Sequence, residues 1–150
     1  MSSVALQTSN VNLQYAALPW RRVHGEVQIL LVTTKTTGRW IVPKGWPIPG
    51  RKPAECAARE ALEEAGVVGE VAAQAVGSFS YQKRRKSGDL LSCKVEVFPM
   101  EVVRQRRSWP EKDARETCWC SINEAVARVP ELGLRRLIAK FGEQISQAAG

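Results

Sequence analysis

GWPIPGRKPAECAAREALEEAGV occupies residues 45–67 and joins a loop rich in proline and glycine to a run of strong helix formers. Pro53 suits the first turn of a helix, because its fixed φ is already helical and its missing N–H is not needed there. Gly66 suits the position just after a helix end. The stretch therefore predicts an irregular, specifically shaped loop over 43–50 and a helix from Pro53 to Ala65.

Three carboxylates share one side of this predicted helix. At 100° per residue, Glu60, Glu63 and Glu64 fall within an arc of about 100°. Like charges this close destabilise a helix, so a compensating partner is expected. Hard divalent cations such as Mg²⁺ take oxygen ligands, and the loop also offers the main-chain carbonyl of Lys44. A solvent-exposed acidic face is the alternative interpretation.

The sequence on both sides predicts strands around this helix. Ala58, Ala61, Leu62 and Ala65 are predicted to form its core-facing stripe, because small side chains let a helix pack closely on a sheet. Apolar or alternating runs predict strands at 27–34, 40–42, 67–75, 76–81, 91–103 and 117–120. A basic hairpin loop is expected over 83–89, a capping box opens a short helix at residue 121, and an amphipathic helix covers 132–148. The order predicts one α/β domain over 1–150, with residues 1–14 as a weakly ordered lead-in.

Composition limits the function classes. The chain has 150 residues, 44% of them hydrophobic, and a formal net charge of +7. The apolar content excludes a disordered chain, and no apolar stretch approaches the roughly 18–20 residues of a membrane span. The N-terminal segment is polar and has no apolar core of a secretory signal, so a cytoplasmic location is expected. The positive charge favours an anionic partner: polyphosphate, nucleic acid or a membrane surface.

The four cysteines are predicted to be reduced and to serve packing. Cys56, Cys93, Cys118 and Cys120 contain no C-x-x-C pattern. The one histidine, His24, lies far from them in sequence, so a zinc site has little support. Cys118 and Cys120 would share a face of a strand, but strand neighbours make poor disulfide partners.

Residues 45–67 resemble the Nudix box, G-x5-E-x7-R-E-U-x-E-E-x-G-U, where U is a bulky apolar residue. Six of the seven fixed polar or glycine positions match. These are Gly45, Arg59, Glu60, Glu63, Glu64 and Gly66. The flanking RWIVPKG and EEAGVVG extend the resemblance over residues 27 to about 140. Two positions depart from the pattern: Arg51 replaces the first glutamate, and a U position is the small Ala61.

The resemblance implies a Nudix fold, an α/β/α sandwich with a mixed β-sheet, and hydrolysis of a diphosphate linkage with Mg²⁺ or Mn²⁺. Such an ion neutralises charge on the phosphate and lowers the pKa of a bound water. The implied metal ligands are Glu60, Glu64, Glu63 and the carbonyl of Lys44. The implied catalytic residues are Glu63, Glu60 and Arg59. In this scheme Glu63 is the general base or a further ligand, and Arg59 orients the carboxylates by ion pairing.

Within the family, the chain is most similar to the diphosphoinositol polyphosphate phosphohydrolases, relatives that also tend to cleave dinucleoside polyphosphates. The implied substrate-binding residues are Arg39, Arg51, Arg84, Arg85, Lys86 and Arg115. ADP-ribose and nucleoside triphosphates stay open as substrates, and a solvated hairpin tip is the alternative for 83–86. Trp40 and Trp46 flank the loop, where either a base-stacking or a packing role is open.

The departure at Arg51 leaves two alternatives open. Its guanidinium contacts substrate phosphate, or it pairs with a nearby carboxylate such as Glu55. A different class of function is a catalytically weakened Nudix-fold module that binds RNA or nucleotides. The basic runs lack interleaved aromatic residues and any RNA-binding signature, so nucleic acid is not the predicted partner. No membrane partner is predicted, and both a monomer and a homodimer are compatible with the sequence.

Overall fold

The computed structural model describes residues 12–149. The strands are β1 (Asn12–Val23), β2 (Glu26–Thr33), β3 (Trp40–Ile41), β4 (Lys44–Gly45), β5 (Val67–Val71), β6 (Gly77–Arg84), β7 (Leu90–Gln105) and β8 (Thr117–Ser121). The helices are α1 (Pro53–Ala65), α2 (Ile122–Arg128) and α3 (Leu132–Ala149). Among these residues no helix is both long and apolar enough to cross a membrane.

The strands form one mixed sheet in the order β3-β2-β1-β7-β5. Its only parallel pair among the described strands is β1 with β7, and the other pairs are antiparallel. β4 pairs with β1, β6 with β7, and β8 with β2. The central strand β1 is therefore hydrogen-bonded to β2 at one end and to β4 at the other, which brings the loop before α1 against the middle of the sheet.

The predicted helix is confirmed at both ends. Pro53 is its first residue, and the backbone N–H of Lys52 donates to the Glu55 carboxylate at 2.9 Å. Gly66 ends the helix in the left-handed conformation with φ 70°, and its N–H donates to the carbonyl of Leu62 at 3.0 Å. The local rules for starting and ending a helix therefore apply here without tertiary correction.

Helices cover both faces of the sheet. Gly133 of α3 contacts Phe79, which shares one face of β6 with Tyr81. Tyr81 donates a hydrogen bond to Gln14 of β1, whereas the neighbouring Tyr15 points the other way and lies near α1. Successive side chains on a strand point to opposite faces, so α1 and α3 lie on opposite sides. All four cysteines are free, as predicted, and all but Cys118 are buried.

Two predictions about the central elements are wrong. Residues 12–14 of the expected lead-in belong to β1, and Gln14 is buried; residues 1–11 lie outside the described part. β1 was missed because its burial on both faces removes the alternation that marks a half-exposed strand. The core-facing side of α1 also differs: Ala58 and Leu62 are only half-buried, whereas Ala57 and Glu64 are buried. The helix is turned so that part of its acidic arc faces the protein interior.

Candidate active site

Two of the three carboxylates on α1 lie together: Glu64 is buried and Glu60 is half-buried. Glu64 is only 3% exposed, and its carboxyl group forms a hydrogen bond with that of Glu60. Gly45 of β4 packs directly on this pair: a Cβ at position 45 would lie 2.4 Å from the carboxyl carbon of Glu60. A larger residue at position 45 would displace the Glu60 carboxyl group from its present place.

Burial governs the protonation of the pair. Burial raises the pKa of Glu64 to about 8, further raised by the charge of Glu60 and opposed by Arg115. Burial also raises the pKa of Glu60, and the hydrogen bond from Glu64 partly opposes this. Two adjacent carboxyl groups with little water around them favour sharing one proton over holding two negative charges. A divalent cation would replace that proton.

Arg115 ties the pair to the rest of the protein. Its guanidinium lies 3.6 Å from a Glu64 oxygen, 2.8 Å from a Glu111 oxygen, and donates to the carbonyl of Thr33 at 2.9 Å. The side chain is only 14% exposed. All three acceptors hold the guanidinium in place, so Arg115 positions Glu64 in this structure. Its predicted contact with substrate phosphate stays a prediction.

The third carboxylate, Glu63, pairs with a different residue, although its charge still acts on Glu60. Glu63 accepts a hydrogen bond from Arg59 at 3.1 Å, one turn earlier on the exposed side of α1. The structure thus shows the ion pair that the resemblance implied for Arg59. Glu111, which lies outside α1, is a further acidic residue near the pair, and its charge acts on Glu60. Glu111 lies between the predicted strands at 91–103 and 117–120, and nothing local in the sequence marked it as a neighbour of α1.

The oxygen atoms of Glu60, Glu64 and the Lys44 carbonyl are suitable ligands for a hard cation, although they do not form a complete coordination sphere. Within residues 12–149, no three acidic, histidine or cysteine side chains converge as ligands. Glu60 and Glu64 converge as a pair, and oxygen is the donor that Mg²⁺ and Mn²⁺ prefer. Lys44, whose carbonyl is a predicted ligand, immediately precedes the glycine that contacts Glu60. Two carboxylates and a main-chain carbonyl could provide part of the oxygen ligands of such an ion.

Two lysine ammonium groups, to which the sequence analysis gave no role, are linked to the carboxylates, one directly and one through the other. The ammonium of Lys44 interacts electrostatically with Glu64, Lys83 and Arg115, and burial lowers the pKa of Lys44. It lies 4.8 Å from the ring centre of Tyr81. Lys83 lies two residues further along β6, on the same strand face as Tyr81. Side chains on a strand alternate between its two faces, so Lys83 shares a face with Tyr81 and Arg84 does not. This alternation could have distinguished Lys83 from the other basic residues at 83–86.

The remaining predicted binding residues divide into two groups. Arg39 pairs with Glu131 at 2.7 Å, and both line a cleft of about 590 Å³ together with Tyr81. By contrast, the structure does not bring the basic loop against the carboxylates. The Arg84 guanidinium donates to the carbonyl of Gly88 at 3.2 Å.

Arg85, Lys86 and Arg51 are exposed. Among residues 12–149 no ion pair involves Arg51, and the Glu55 carboxylate is engaged by the backbone of Lys52 instead. The binding roles of Arg39, Arg51, Arg84, Arg85 and Lys86 stay predictions.

We expect the metal-free protein to lose stability as the pH rises from about 5 to 8. The folded protein keeps a proton on Glu64 up to its pKa of about 8, whereas an unfolded glutamate loses it near 4.5. Between these values the folded state binds more protons, so its stability falls by up to about 1.4 kcal/mol per pH unit. Urea unfolding in EDTA across this range measures the slope. A Glu64→Gln variant with the same slope as the parent would contradict the assignment.

Comparison with known proteins gives a consistent result. The family model described as NUDIX domain matches residues 15–141. Nudix hydrolase 21, chloroplastic, of Arabidopsis thaliana is 31% identical over 119 residues, which cover 78% of this chain and 58% of the relative. Diphosphoinositol polyphosphate phosphohydrolase 3-beta of Bos taurus is 27% identical over 113 residues, which cover 74% of this chain and 65% of the relative. The chain thus spans less than two thirds of the length of either relative.

A solved structure has the same architecture. The Ap4A hydrolase of C. elegans, in a binary complex, superposes with a TM-score of 0.69 at 19% identity, over 91% of this chain and 98% of that one. At this identity the similarity concerns the fold alone. It agrees with the predicted α/β/α sandwich and mixed sheet, which are confirmed.

Proposed function

This chain belongs to the Nudix family, and we propose that it hydrolyses a diphosphate linkage in a small anionic substrate with the help of Mg²⁺ or Mn²⁺. The observation that carries the proposal is the hydrogen-bonded pair of the half-buried Glu60, which packs on Gly45, and the buried Glu64. Two carboxyl groups are costly to bury without a partner, and a divalent cation offsets that cost.

Glu60, Glu64 and the carbonyl of Lys44 would hold the ion. When bound, the ion neutralises charge on the diphosphate and lowers the pKa of a coordinated water. Two neighbouring residues hold the carboxylates in position. Arg115 orients Glu64, and Gly45 leaves room for Glu60.

The other side chains have roles in proton transfer and binding. Glu63 pairs with Arg59 at the solvent side of α1. We assign it the role of general base, which accepts a proton from the attacking water, with coordination of the ion as the alternative role. The ammonium of Lys44 lies next to the carboxylates and binds a phosphate oxygen. Arg39, Arg51 and the basic loop extend this positive field for a polyphosphate chain.

For the substrate we propose a dinucleoside polyphosphate or a diphosphoinositol polyphosphate. The net charge of +7 supports a strongly anionic substrate. The bovine relative is named for diphosphoinositol polyphosphate, and the structural neighbour for Ap4A. A cytoplasmic location and a monomeric or homodimeric state are further proposals, which cell fractionation and light scattering test.

A substrate panel tests the proposed activity. The purified chain is incubated with a dinucleoside polyphosphate, a diphosphoinositol polyphosphate and ADP-ribose, each with Mg²⁺, Mn²⁺ or EDTA. We expect hydrolysis of at least one substrate, lost in EDTA and in Glu60→Gln but kept in Glu70→Gln, which changes an exposed carboxylate on β5. No turnover of any substrate, together with RNA retention at moderate salt, would instead support the weakened RNA-binding module.

Restoring the family residue at position 51 tests the role of Arg51. If its guanidinium binds a substrate phosphate, Arg51→Glu should raise KM about tenfold, because a hydrogen bond to a charged group is lost. The new carboxylate should also lower the Mg²⁺ concentration needed for half-maximal activity. Steady-state kinetics at varied Mg²⁺ measure both effects.

Arg104→Glu is the matched control for that variant, because it makes the same charge change at an exposed residue of β7. An equal rise of KM in both variants would show that the net charge of the protein, and not a contact of Arg51, affects substrate binding. A silent parent chain that becomes active as Arg51→Glu would identify a degenerate relative and overturn the proposed activity.

A further inference from the structure

Trp46 is a large apolar side chain that the fold leaves at the surface. It is 42% exposed, directly after the glycine that packs on Glu60. The other tryptophan beside this loop, Trp40, is different: it is half-buried and packs against the core cluster. Packing therefore accounts for Trp40. An exposed indole next to an active site calls for another explanation, because exposing it to water is unfavourable.

A cation lies against this indole. The ammonium of Lys83 is 5.3 Å from the ring centre of Trp46, within the range of a cation–π contact. Lys83 is half-buried on β6 and interacts with Lys44, which in turn interacts with Glu64. Two like charges this close repel each other, so an anion between or beside the lysines is favoured.

These residues form a continuous path from the carboxylates to the surface. Gly45 contacts Glu60, and Trp46 is the next residue along the chain. The charges of Glu64 and Lys83 both act on Lys44, so a diphosphate bound beside the carboxylates would lie near both ammonium groups. Whatever the diphosphate carries beyond that point meets the indole of Trp46.

We propose that Trp46 and Lys83 form a nucleotide subsite, in which a nucleobase stacks on the indole and the ammonium binds a phosphate oxygen. This inference rests on the proposed diphosphate hydrolysis and names the nucleoside polyphosphates as the preferred substrate class. A nucleobase has a flat π-face that gains from stacking on an indole. A phosphorylated inositol has none, and its anionic groups are repelled by the negative face of an aromatic ring.

The test compares two substrates in matched variants. Trp46→Leu keeps apolar bulk but removes the aromatic face, and Trp46→Phe restores an aromatic face. We expect Trp46→Leu to raise KM for a dinucleoside polyphosphate about tenfold, with kcat little changed and substantial recovery in Trp46→Phe. KM for a diphosphoinositol polyphosphate should change less than about twofold. Equal changes for both substrates, or none, would overturn the subsite.

Lys83→Met tests the cation, with Lys140→Met as its control, because Lys140 is an exposed lysine on α3 with no proposed role in binding. Lys83→Met should raise KM for both substrates about tenfold, whereas Lys140→Met should leave both within about twofold. Equal effects of the two lysine changes would mean that only net charge counts.

A binding measurement separates this inference from the proposed activity. ADP is titrated in EDTA, where no hydrolysis takes place, and the quenching of tryptophan fluorescence is recorded. We expect quenching that is largely lost in Trp46→Leu. Quenching of this kind without hydrolysis of any substrate would keep the subsite and reject the enzyme. Hydrolysis with the same quenching in the parent and in Trp46→Leu would keep the enzyme and reject the subsite.

Discussion

Glu64→Gln should lower kcat by about 10²–10³-fold while leaving the fold intact. Glutamine has nearly the same shape as glutamate but lacks the charge that attracts a divalent cation, so stabilisation of the reacting phosphate is lost. Glu64 is 3% exposed and held by Arg115, so no other carboxylate can take its place without rearrangement. Steady-state hydrolysis measures the loss, and Mn²⁺ binding followed by electron paramagnetic resonance measures its cause.

The same change should stabilise the metal-free protein at pH 8. There, burial and the neighbouring Glu60 make the charged form of Glu64 unfavourable, as its pKa of about 8 indicates. A neutral amide avoids that cost, so Tm in EDTA should rise. Glu70→Gln is the control, since it removes an exposed carboxylate from β5. Undiminished turnover in Glu64→Gln, or a fall in its Tm at pH 8, would argue against a buried ligand at this position.

Gly66→Ala should destabilise the protein by about 4 kcal/mol. Gly66 has φ 70°, a left-handed conformation that costs a residue with a Cβ about 1–2 kcal/mol. An added Cβ would also lie 2.2 Å from the nearest ring atom of Trp109, and overpacking typically costs another 1–3 kcal/mol. Urea denaturation at constant Mg²⁺ measures the difference in the free energy of unfolding.

Two further variants separate these causes. Gly25→Ala places a Cβ at φ 82° with no atom within 4 Å, so it should show only the backbone cost of about 1–2 kcal/mol. Replacing Trp109 by leucine in the Gly66→Ala background should recover part of the loss, because the clashing ring is removed. Equal destabilisation by Gly25→Ala and Gly66→Ala would mean that Trp109 does not press on the helix end.

The segment around Trp109 also completes the end of α1. The backbone N–H of Glu111 donates to the carbonyl of Glu63 at 3.0 Å, and the N–H of Arg106 donates to the carbonyl of Gly66 at 2.8 Å. The side chain of Gln105 donates to the carbonyl of Ala65 at 3.0 Å. Carbonyl groups at a helix end lack partners within the helix, so this segment supplies them. It also carries Glu111 to the carboxylates, and therefore links helix stability with the active site.

Local sequence by itself determined α1 and its carboxylates. Pro53 and Gly66 mark the ends of the helix, and Glu60, Glu63 and Glu64 lie on one arc because the helix repeats every 3.6 residues. The capping box at Ser121 and Glu124 is also present as predicted. These features depend on contacts within a few residues, so they are readable from spacing alone.

The packing of distant segments decided the rest. The position of Gly45 against Glu60, and of Arg115 against Glu64, makes a pair of one half-buried and one buried carboxylate, whereas the half-buried Glu63 pairs with Arg59. The alternation of β6 against β7 brings Lys83, rather than Arg84, to the face of Tyr81. Burial, pKa and charge pairing are properties of surroundings contributed by other elements. A helical pattern shows which residues share a side, whereas the sheet and the loops around it determine which of those residues meet water.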